Sequence, residues 1–513
     1  MGIIGPLIKQ ALILRNTVNK VKKKKTPEST QRRTLLKLLK KARNTQFGNA
    51  YQFDVIINAK EPEKLFQQYV PIYDYTQIFN DWWHLSLKGE SNICWPGKTN
   101  YFALSSGTSG AASKHIPVTQ SMLRSMKKTG VRQILSLVDY GFPEEYFTKG
   151  VLVLGGSTDL VNMGKYYQGD LSGINQAKMP FWTQPYYKPG KKIARQRDWN
   201  KKIEEIAINA PKWDIAMITG IPAWNQLVLE RIIEMHNLKH IHEIWPNLEV
   251  FIYGGVAFEP YEKSFNKLLG RPIHYIETYL ASEGFIAYQS RKESKGMELV
   301  LNNGIFMEFI PFNETNFNND GSLKYNPESL LINEVEEGKD YAIILSTNAG
   351  AWRYLIGDTI RFTSIKNNEV VITGRTKHFL SLCGEHLSTE NMNQAVKKIS
   401  EDFNLSINEF TVCGIQSGSL FGHHWYIGVD NTNNISNEKI TQQLDQVLKE
   451  LNDDYAVERN HALKEIRVTT LPSEYFYQWM EKKGKLGAQH KFPRVLNPEQ
   501  MEEWNTFLNN FTK

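Results

Sequence analysis

The residues best suited to chemistry lie in one stretch, Phe102-Ala-Leu-Ser-Ser-Gly-Thr-Ser-Gly-Ala-Ala-Ser-Lys-His-Ile-Pro-Val-Thr119. Ser105, Ser106, Gly107, Thr108 and Ser109 are all small or hydroxyl-bearing. Small residues let a backbone wrap closely around an anion, with N–H groups and hydroxyls turned inward as donors. Lys114 adds a point charge suited to phosphate. The composition is that of a phosphate-gripping loop. It departs from the usual Gly-x-x-x-x-Gly-Lys-Ser/Thr pattern, because Gly110 is followed by Ala111-Ala112 and the lysine comes later. A flexible Ser/Gly surface loop stays open as the other reading.

A loop of this kind needs a scaffold. Tyr101 to Leu104 reads as the end of a strand, and Thr119 caps a helix over 120–138. The apolar runs Val151-Leu-Val-Leu154, Asp214 to Thr219, Val250-Phe-Ile-Tyr253 and Ile273 to Tyr279 read as strands. Helices over 199–210, 224–236 and 260–269 alternate with them. Strands that alternate with helices and close on Gly or Pro predict an α/β fold with a largely parallel sheet. Ligands sit at the carboxyl ends of such strands. The 105–114 loop, Gly254-Gly255 and Tyr279-Leu-Ala-Ser-Glu283 all fall at such ends.

From Gly304 to Val371 short apolar runs are separated by Asn, Gly, Pro and acidic turns. That texture predicts antiparallel sheet, closing as a small β barrel. Helices over 389–402, 436–452 and 497–511 predict a small α+β domain at the end. The expected division is a large domain over 1–374, with 1–30 a basic helical lead-in, a hinge at 375–379, and a cap domain over 380–513 that rotates.

Composition narrows the classes. A chain of 513 residues exceeds one ordinary core. Its apolar share of 41% and aromatic share of 12% are those of a globular protein. Cys94, Cys383 and Cys413 are odd in number and far apart, which argues against a disulfide framework or a cysteine-based zinc site. His423 and His424 are adjacent, so on a strand they point to opposite sides and make a poor metal pair. No apolar run approaches the roughly 18 residues of a membrane span. The net charge of +7 is concentrated at Lys20-Val-Lys-Lys-Lys-Lys25 rather than spread as a basic stripe, which argues against nucleic acid as partner. Residues 2–20 read as an amphipathic helix without the features of a secretory signal. The expectation is a cytoplasmic monomer without integral membrane association.

Four segments occur in order: Ser105-Ser-Gly-Thr-Ser109 with Lys114, Tyr279-Leu-Ala-Ser-Glu-Gly284, Gly350-Ala-Trp-Arg-Tyr-Leu-Ile-Gly-Asp358, and Gly374-Arg-Thr-Lys377. This order resembles the adenylate-forming superfamily of acyl-CoA synthetases, peptide-synthetase adenylation domains and luciferase. The detail resembles one branch, the Gretchen Hagen family of acyl-acid amido synthetases, known from plants for joining auxin or jasmonate to amino acids. The Gly-x-aromatic-Arg-Tyr-x-x-Gly-Asp form of the third segment and Gln489-His-Lys-Phe-Pro-Arg494 near the end carry that closer likeness. Leu355 and His490 depart from plant members, which have arginine and tyrosine there, so plant substrates do not transfer.

The resemblance implies a two-step ligase using ATP and Mg²⁺. A carboxylate attacks the α-phosphate, giving an acyl-adenylate and pyrophosphate. An amine, in this family an amino acid, then takes the acyl group and AMP leaves. The implied roles follow the motifs. Ser105, Ser106, Gly107, Thr108 and Ser109 hold the terminal phosphates, with Lys114 offsetting their charge. Gly254-Gly255 lie against adenine and Tyr279 stacks on it, with Ser282 beside it in the nucleotide site. Glu283 holds Mg²⁺, a hard cation that prefers carboxylate oxygen. Asp358 accepts from the ribose hydroxyls, and Arg375 supports ribose or phosphate. Arg353 is read either as an ion-pair partner of Asp358 or as a ligand contact. Lys377 is the hinge, and Lys491 stabilises charge at the α-phosphate. Arg124, Trp224 and Phe258 are expected around an apolar acid. Two alternatives stay open: transfer to a thiol, such as coenzyme A or a carrier, and a nucleotide-binding homologue without catalysis.

Overall fold

The computed structural model describes residues 10, 14, 26–105, 114–179, 184–256, 258–318, 321–376, 379–405, 407–429, 436–483 and 492–510. Apart from residues 10 and 14, the expected lead-in helix and the lysine run lie outside the described residues. No helix among the described residues is long and apolar enough to cross a membrane.

Helix Pro27–Ala42 opens the described chain. The Thr26 hydroxyl accepts from the Ser29 N–H, and Pro27 stands in the first turn, where a missing N–H costs nothing. Leu35, Leu38, Leu39 and Ala42 are buried at helical spacing. Gln31 shares that face. Its amide donates to the Leu301 and Ile305 carbonyls and accepts from the Met307 N–H.

The strands of the larger part are β1 (Tyr101–Ser105), β2 (Lys114–Val118), β3 (Gly150–Val153), β4 (Val161–Asn162), β5 (Tyr167–Gly169), β6 (Tyr187–Lys188), β7 (Ile215–Gly220) and β8 (Val250–Tyr253). They continue with β9 (His274–Ala281), β10 (Gly284–Tyr288), β11 (Met297–Leu299), β12 (Ile305–Pro311), β13 (Asp340–Thr347), β14 (Tyr354–Ser364) and β15 (Glu369–Arg375). One four-stranded sheet has the order β2-β1-β5-β4. An eleven-stranded sheet has the order β12-β13-β14-β15-β11-β10-β9-β8-β7-β3-β6. From β6 to β9 neighbours are parallel. Helices Trp199–Asn209, Pro222–Met235 and Glu259–Asn266 fall between these parallel strands in the chain. The mixed α/β class expected from the alternation is what the chain adopts.

The antiparallel strands do not close on themselves as a separate barrel. They continue through β11 and β10 into the parallel strands, and β12 is an edge, where Gln31 satisfies part of its backbone. Twist nevertheless curls this half of the sheet around a core of its own. Met297, Met307, Ile343, Phe362 and Val370, from five different strands, share one buried cluster with Tyr279. The curl brings β9 to β14 although β15, β11 and β10 stand between them in the sheet.

The C-terminal part has β16 (Phe379–Leu380), β17 (Leu387–Ser388), β18 (Ile407–Ser417), β19 (Leu420–Val429), β20 (Leu463–Leu471) and β21 (Val495–Leu496). Its four-stranded sheet has the order β20-β19-β18-β21. Helices Thr389–Phe403, Asn437–Leu451, Asp453–His461, Ser473–Lys482 and Pro498–Asn509 accompany it. One apolar cluster runs from Leu152, Trp224 and Phe251 to Leu387, Trp425 and Leu463, so the two parts share a core. Cys94, Cys383 and Cys413 are buried free thiols. On β19 the two histidines find different partners: His423 meets Glu385 in a fully buried pair, and His424 meets Thr469.

Candidate active site

The β1–β2 hairpin pairs Ser105 with Lys114, so the first candidate loop is pinned at both ends. Tyr75 steadies that end: its hydroxyl accepts from the His115 N–H at 2.8 Å, and the Lys114 ammonium lies 5.3 Å from its ring centre. Ser106, Gly107, Thr108 and Ser109 lie outside the described residues, as do Lys377 and Lys491.

Asp358 is set by register. It stands on β14 opposite Arg375 on β15. Arg375 Nε lies 2.7 Å from Asp358 Oδ1, and the Tyr279 hydroxyl donates to Oδ2 at 2.5 Å. Both carboxylate oxygens therefore have donors from different strands. Tyr279 is only 4% exposed, with its ring in the core of the curled sheet. Burial, and then the Asp358 charge, push its phenol pKa well up, so it remains a donor.

Glu283 sits in the turn between β9 and β10, where Ala281 pairs with Gly284 and leaves Ser282-Glu283 as the connection. Its carboxylate is buried. Burial first, and then Asp358, push its pKa up to about 7, while Lys114 and Arg375 pull the other way. Lys114, Glu283, Asp358 and Arg375 thus form one electrostatic cluster. It is built from two hairpins and a strand pair, beside the end of β9. Gly254-Gly255 follow β8 next door. A β-carbon on Gly254 would lie 2.3 Å from the Thr278 carbonyl oxygen, so only glycine fits against the β9 backbone there; Gly255 has φ +88°.

Other expected residues fall elsewhere. Arg353 does not pair with Asp358. Its guanidinium meets Glu308, with Nη2 at 2.9 Å from Oε1, and donates to the Gln67 and Val70 carbonyls. Arg353 stands just before β14 with a left-handed backbone, φ +40°, so its side chain does not follow the strand's alternation. Arg124 is exposed on helix Gln120–Ser136. Phe258 is buried against Tyr253 and Tyr275. Trp224 is buried, stacks on Trp199 with centroids 4.0 Å apart, and donates to Glu458. Tyr75 escaped sequence reasoning, because a tyrosine far from any motif gives no signal of the hairpin it supports.

Two buried or half-buried carboxylates beside two fixed cations can hold a hard divalent ion, accept from hydroxyls and receive phosphate. Glu283 fits such an ion by its chemistry: a desolvated carboxylate with a pKa near 7 gains from an arriving positive charge.

Comparison with known proteins follows from this geometry. Sequence profiles described as the GH3 family N-terminal, central and C-terminal domains match residues 19–156 and 158–273, 298–373, and 390–500. The probable indole-3-acetic acid-amido synthetase GH3.1 of Arabidopsis thaliana is 24% identical over 50% of this chain and 45% of its own length. Indole-3-acetic acid-amido synthetase GH3.4 of the same plant is 22% identical over 73% of this chain and 72% of its own. Jasmonoyl–L-amino acid synthetase JAR4 of Nicotiana attenuata is 27% identical over 51% and 46%. The match with the first of these spans about half the length of that relative. Among solved structures, a GH3.15 acyl acid amido synthetase aligns with a TM-score of 0.58 at 15% identity, covering 98% of this chain and 96% of that one. A 2-hydroxyisobutyryl-CoA ligase aligns with a TM-score of 0.55 at 12% identity, covering 94% and 92%. These two likenesses establish the fold.

Proposed function

The chain belongs to the GH3 family, whose three domain profiles span most of it, and from that premise we propose that it is an ATP-dependent ligase joining a carboxylic acid to an amine. The observation that carries the reading is the pairing of Asp358 with Tyr279 and Arg375, with buried Glu283 and Lys114 in the same cluster. In this reading Asp358 receives the ribose hydroxyls. Tyr279 acts through it as a positioning residue, in place of the adenine stacking the motif implied. Arg375 and Lys114 meet phosphate charge, and the backbone of Gly254-Gly255 and Ser282 lines the nucleotide. Glu283 would hold Mg²⁺, which when bound offsets the negative charge of the phosphates.

The acid's carboxylate oxygen attacks the α-phosphorus, the bond to the β-phosphate oxygen breaks, and pyrophosphate leaves. The nitrogen of a neutral amine then attacks the acyl carbon, the bond to the phosphate oxygen breaks, AMP leaves, and the nitrogen gives up one proton to solvent. Ser106 to Ser109 would grip the terminal phosphates, and Lys491 would steady the α-phosphate. Lys377 would be the pivot between a cap beginning near residue 380 and the larger part. The test is to incubate the chain with ATP, Mg²⁺, a panel of carboxylic acids, the common amino acids and coenzyme A, and to read products by mass. The expected product is an amide with one equivalent of AMP. A thioester formed with coenzyme A, with no amide, would contradict the amine as acceptor.

A further inference from the structure

Two phenols flank the Lys114 end of the cluster. The Tyr75 hydroxyl accepts from the His115 N–H at 2.8 Å. Strand β2 is an edge of its sheet, so no strand lies on that side to take this N–H. The Lys114 ammonium lies 5.3 Å from the Tyr75 ring centre. Tyr354 opens β14, the strand that carries Asp358. Main-chain bonds hold the two tyrosines together. The Tyr73 N–H donates to the Arg353 carbonyl and the Tyr73 carbonyl accepts from the Leu355 N–H, both at 2.9 Å, so the bonds straddle Tyr354. Asp74 caps the helical turn that Tyr75 begins. Trp83 packs against both, its ring centre 6.2 Å from that of Tyr75 and 5.4 Å from that of Tyr354.

Two observations point to a ligand here. Tyr354 is only 2% exposed, yet its hydroxyl makes no hydrogen bond with any described residue. A buried hydroxyl left unpaired is costly. Tyr75 uses its hydroxyl oxygen as an acceptor, and its own proton meets no acceptor among the described residues. Burial holds both phenols above their ordinary pKa, so both keep their protons. For Tyr354 the Glu283 charge and then Tyr75 add to the effect of burial, which places its hydroxyl near both. Tyr75, Ser105 and Lys114 are partly exposed, so an anion can reach this end of the cluster.

We propose that Tyr75 and Tyr354 are phosphate-contacting residues, their hydroxyls donating to the pyrophosphate portion of bound ATP beside Lys114. The inference rests on the ligase reading and names which part of the nucleotide these side chains hold. Two protonated phenols and an ammonium match an anion whose oxygens accept. Asp358, an acceptor, serves the ribose hydroxyls, so the site is sorted along the nucleotide into acceptor and donors. The Glu283 charge beside the phenols is the one that bound Mg²⁺ would offset.

The test uses the full chain and its Tyr75→Phe and Tyr354→Phe variants. ATP and AMP are titrated separately by calorimetry, in Mg²⁺ and without acid. AMP shares adenine, ribose and α-phosphate with ATP and lacks the pyrophosphate portion. In each variant the Kd for ATP is expected to rise at least about tenfold, the loss of a hydrogen bond to a charged group, while that for AMP holds within about twofold. The nucleotide-free Tyr354→Phe variant should keep the parent's midpoint of thermal unfolding, because its hydroxyl has no partner to lose. An unchanged Kd for ATP, equal losses for ATP and AMP, or a lowered midpoint in nucleotide-free Tyr354→Phe would each overturn the inference. A parent chain that binds ATP but forms no adenylate would overturn the ligase reading and leave this inference in place. A parent chain that binds neither nucleotide would overturn both.

Discussion

Replacing Glu283 by glutamine is expected to lower adenylation at least a hundredfold and, at the same time, to stabilise the fold at pH 8. The first effect follows from losing the carboxylate assigned to Mg²⁺, and a loss of this order is typical when a preorganised charge is removed from a site. The second follows from burial. In the folded chain the carboxyl pKa rises from 4.5 to about 7, chiefly because desolvation opposes the charged form. Between those values the folded state binds more protons than the unfolded one, so this group's contribution to stability falls as pH rises and reaches its full cost above 7. At about 1.4 kcal/mol per pKa unit the cost is on the order of 3 kcal/mol. The glutamine carries no charge and escapes it. Denaturant unfolding of the nucleotide-free chain should show the variant more stable at pH 8, with the gap closing as pH approaches 4.5. Exchange activity within tenfold of the parent would remove Glu283 from the site. Equal stability at pH 8 would mean that its charge is compensated after all.

Replacing Arg353 by methionine is expected to cost about 3–5 kcal/mol of stability, the range for breaking a buried ion pair from one side. Arg353 and Glu308 side chains are 5% and 1% exposed. Arg353 Nε lies 3.1 Å from each Glu308 oxygen, Nη1 reaches the Gln67 and Val70 carbonyls at 2.8 and 2.7 Å, and Nη2 reaches Ser329 at 3.1 Å. The methionine variant would leave Glu308 charged in the sheet, with the Gln67 amide and Ser329 hydroxyl as its remaining donors. The double variant Arg353→Met with Glu308→Leu should recover a large part of the loss, because it removes the stranded charge as well. A midpoint for the single variant within experimental error of the parent would contradict this account. The contrast with Asp358 is informative. Both residues belong to the Gly350–Asp358 segment, yet one ties helix Pro62–Tyr69 to β12 and the other faces the candidate nucleotide site.

Much of the scaffold was legible because its signals are local. Thr119 predicts the start of helix Gln120–Ser136, and its hydroxyl does accept from the Met122 N–H. Strands β3, β7 and β8 announced themselves as apolar runs ending in glycine, whereas the two-residue parallel strand β6 gave no such signal. The curled sheet was harder. Alternating apolar runs predict antiparallel pairing but do not say whether the last strand closes on the first, and here β15 pairs with β11 instead. Among candidate site residues, motif order named Glu283, Asp358, Arg375 and Lys114, and the structure places these four in one electrostatic cluster. Pair identity did not follow from it: Arg353 found Glu308, a residue with no motif around it. Glu458, the partner of Trp224, left no trace, since a buried polar residue looks in sequence like any charge on a helix. The short helix Asp453–His461, mostly polar along its length, was missed for the same reason.

Acid-dependent exchange of labelled pyrophosphate into ATP tests the central claim most directly, since it requires a reversible acyl-adenylate and nothing from the acceptor side. The chain would be assayed with Mg²⁺ against aromatic, fatty and amino acids. The account predicts exchange that appears with one acid class, needs Mg²⁺ and is lost in the Glu283→Gln variant. ATP binding without exchange for any acid would contradict it, and would make the chain a nucleotide-binding member of its family without ligase chemistry.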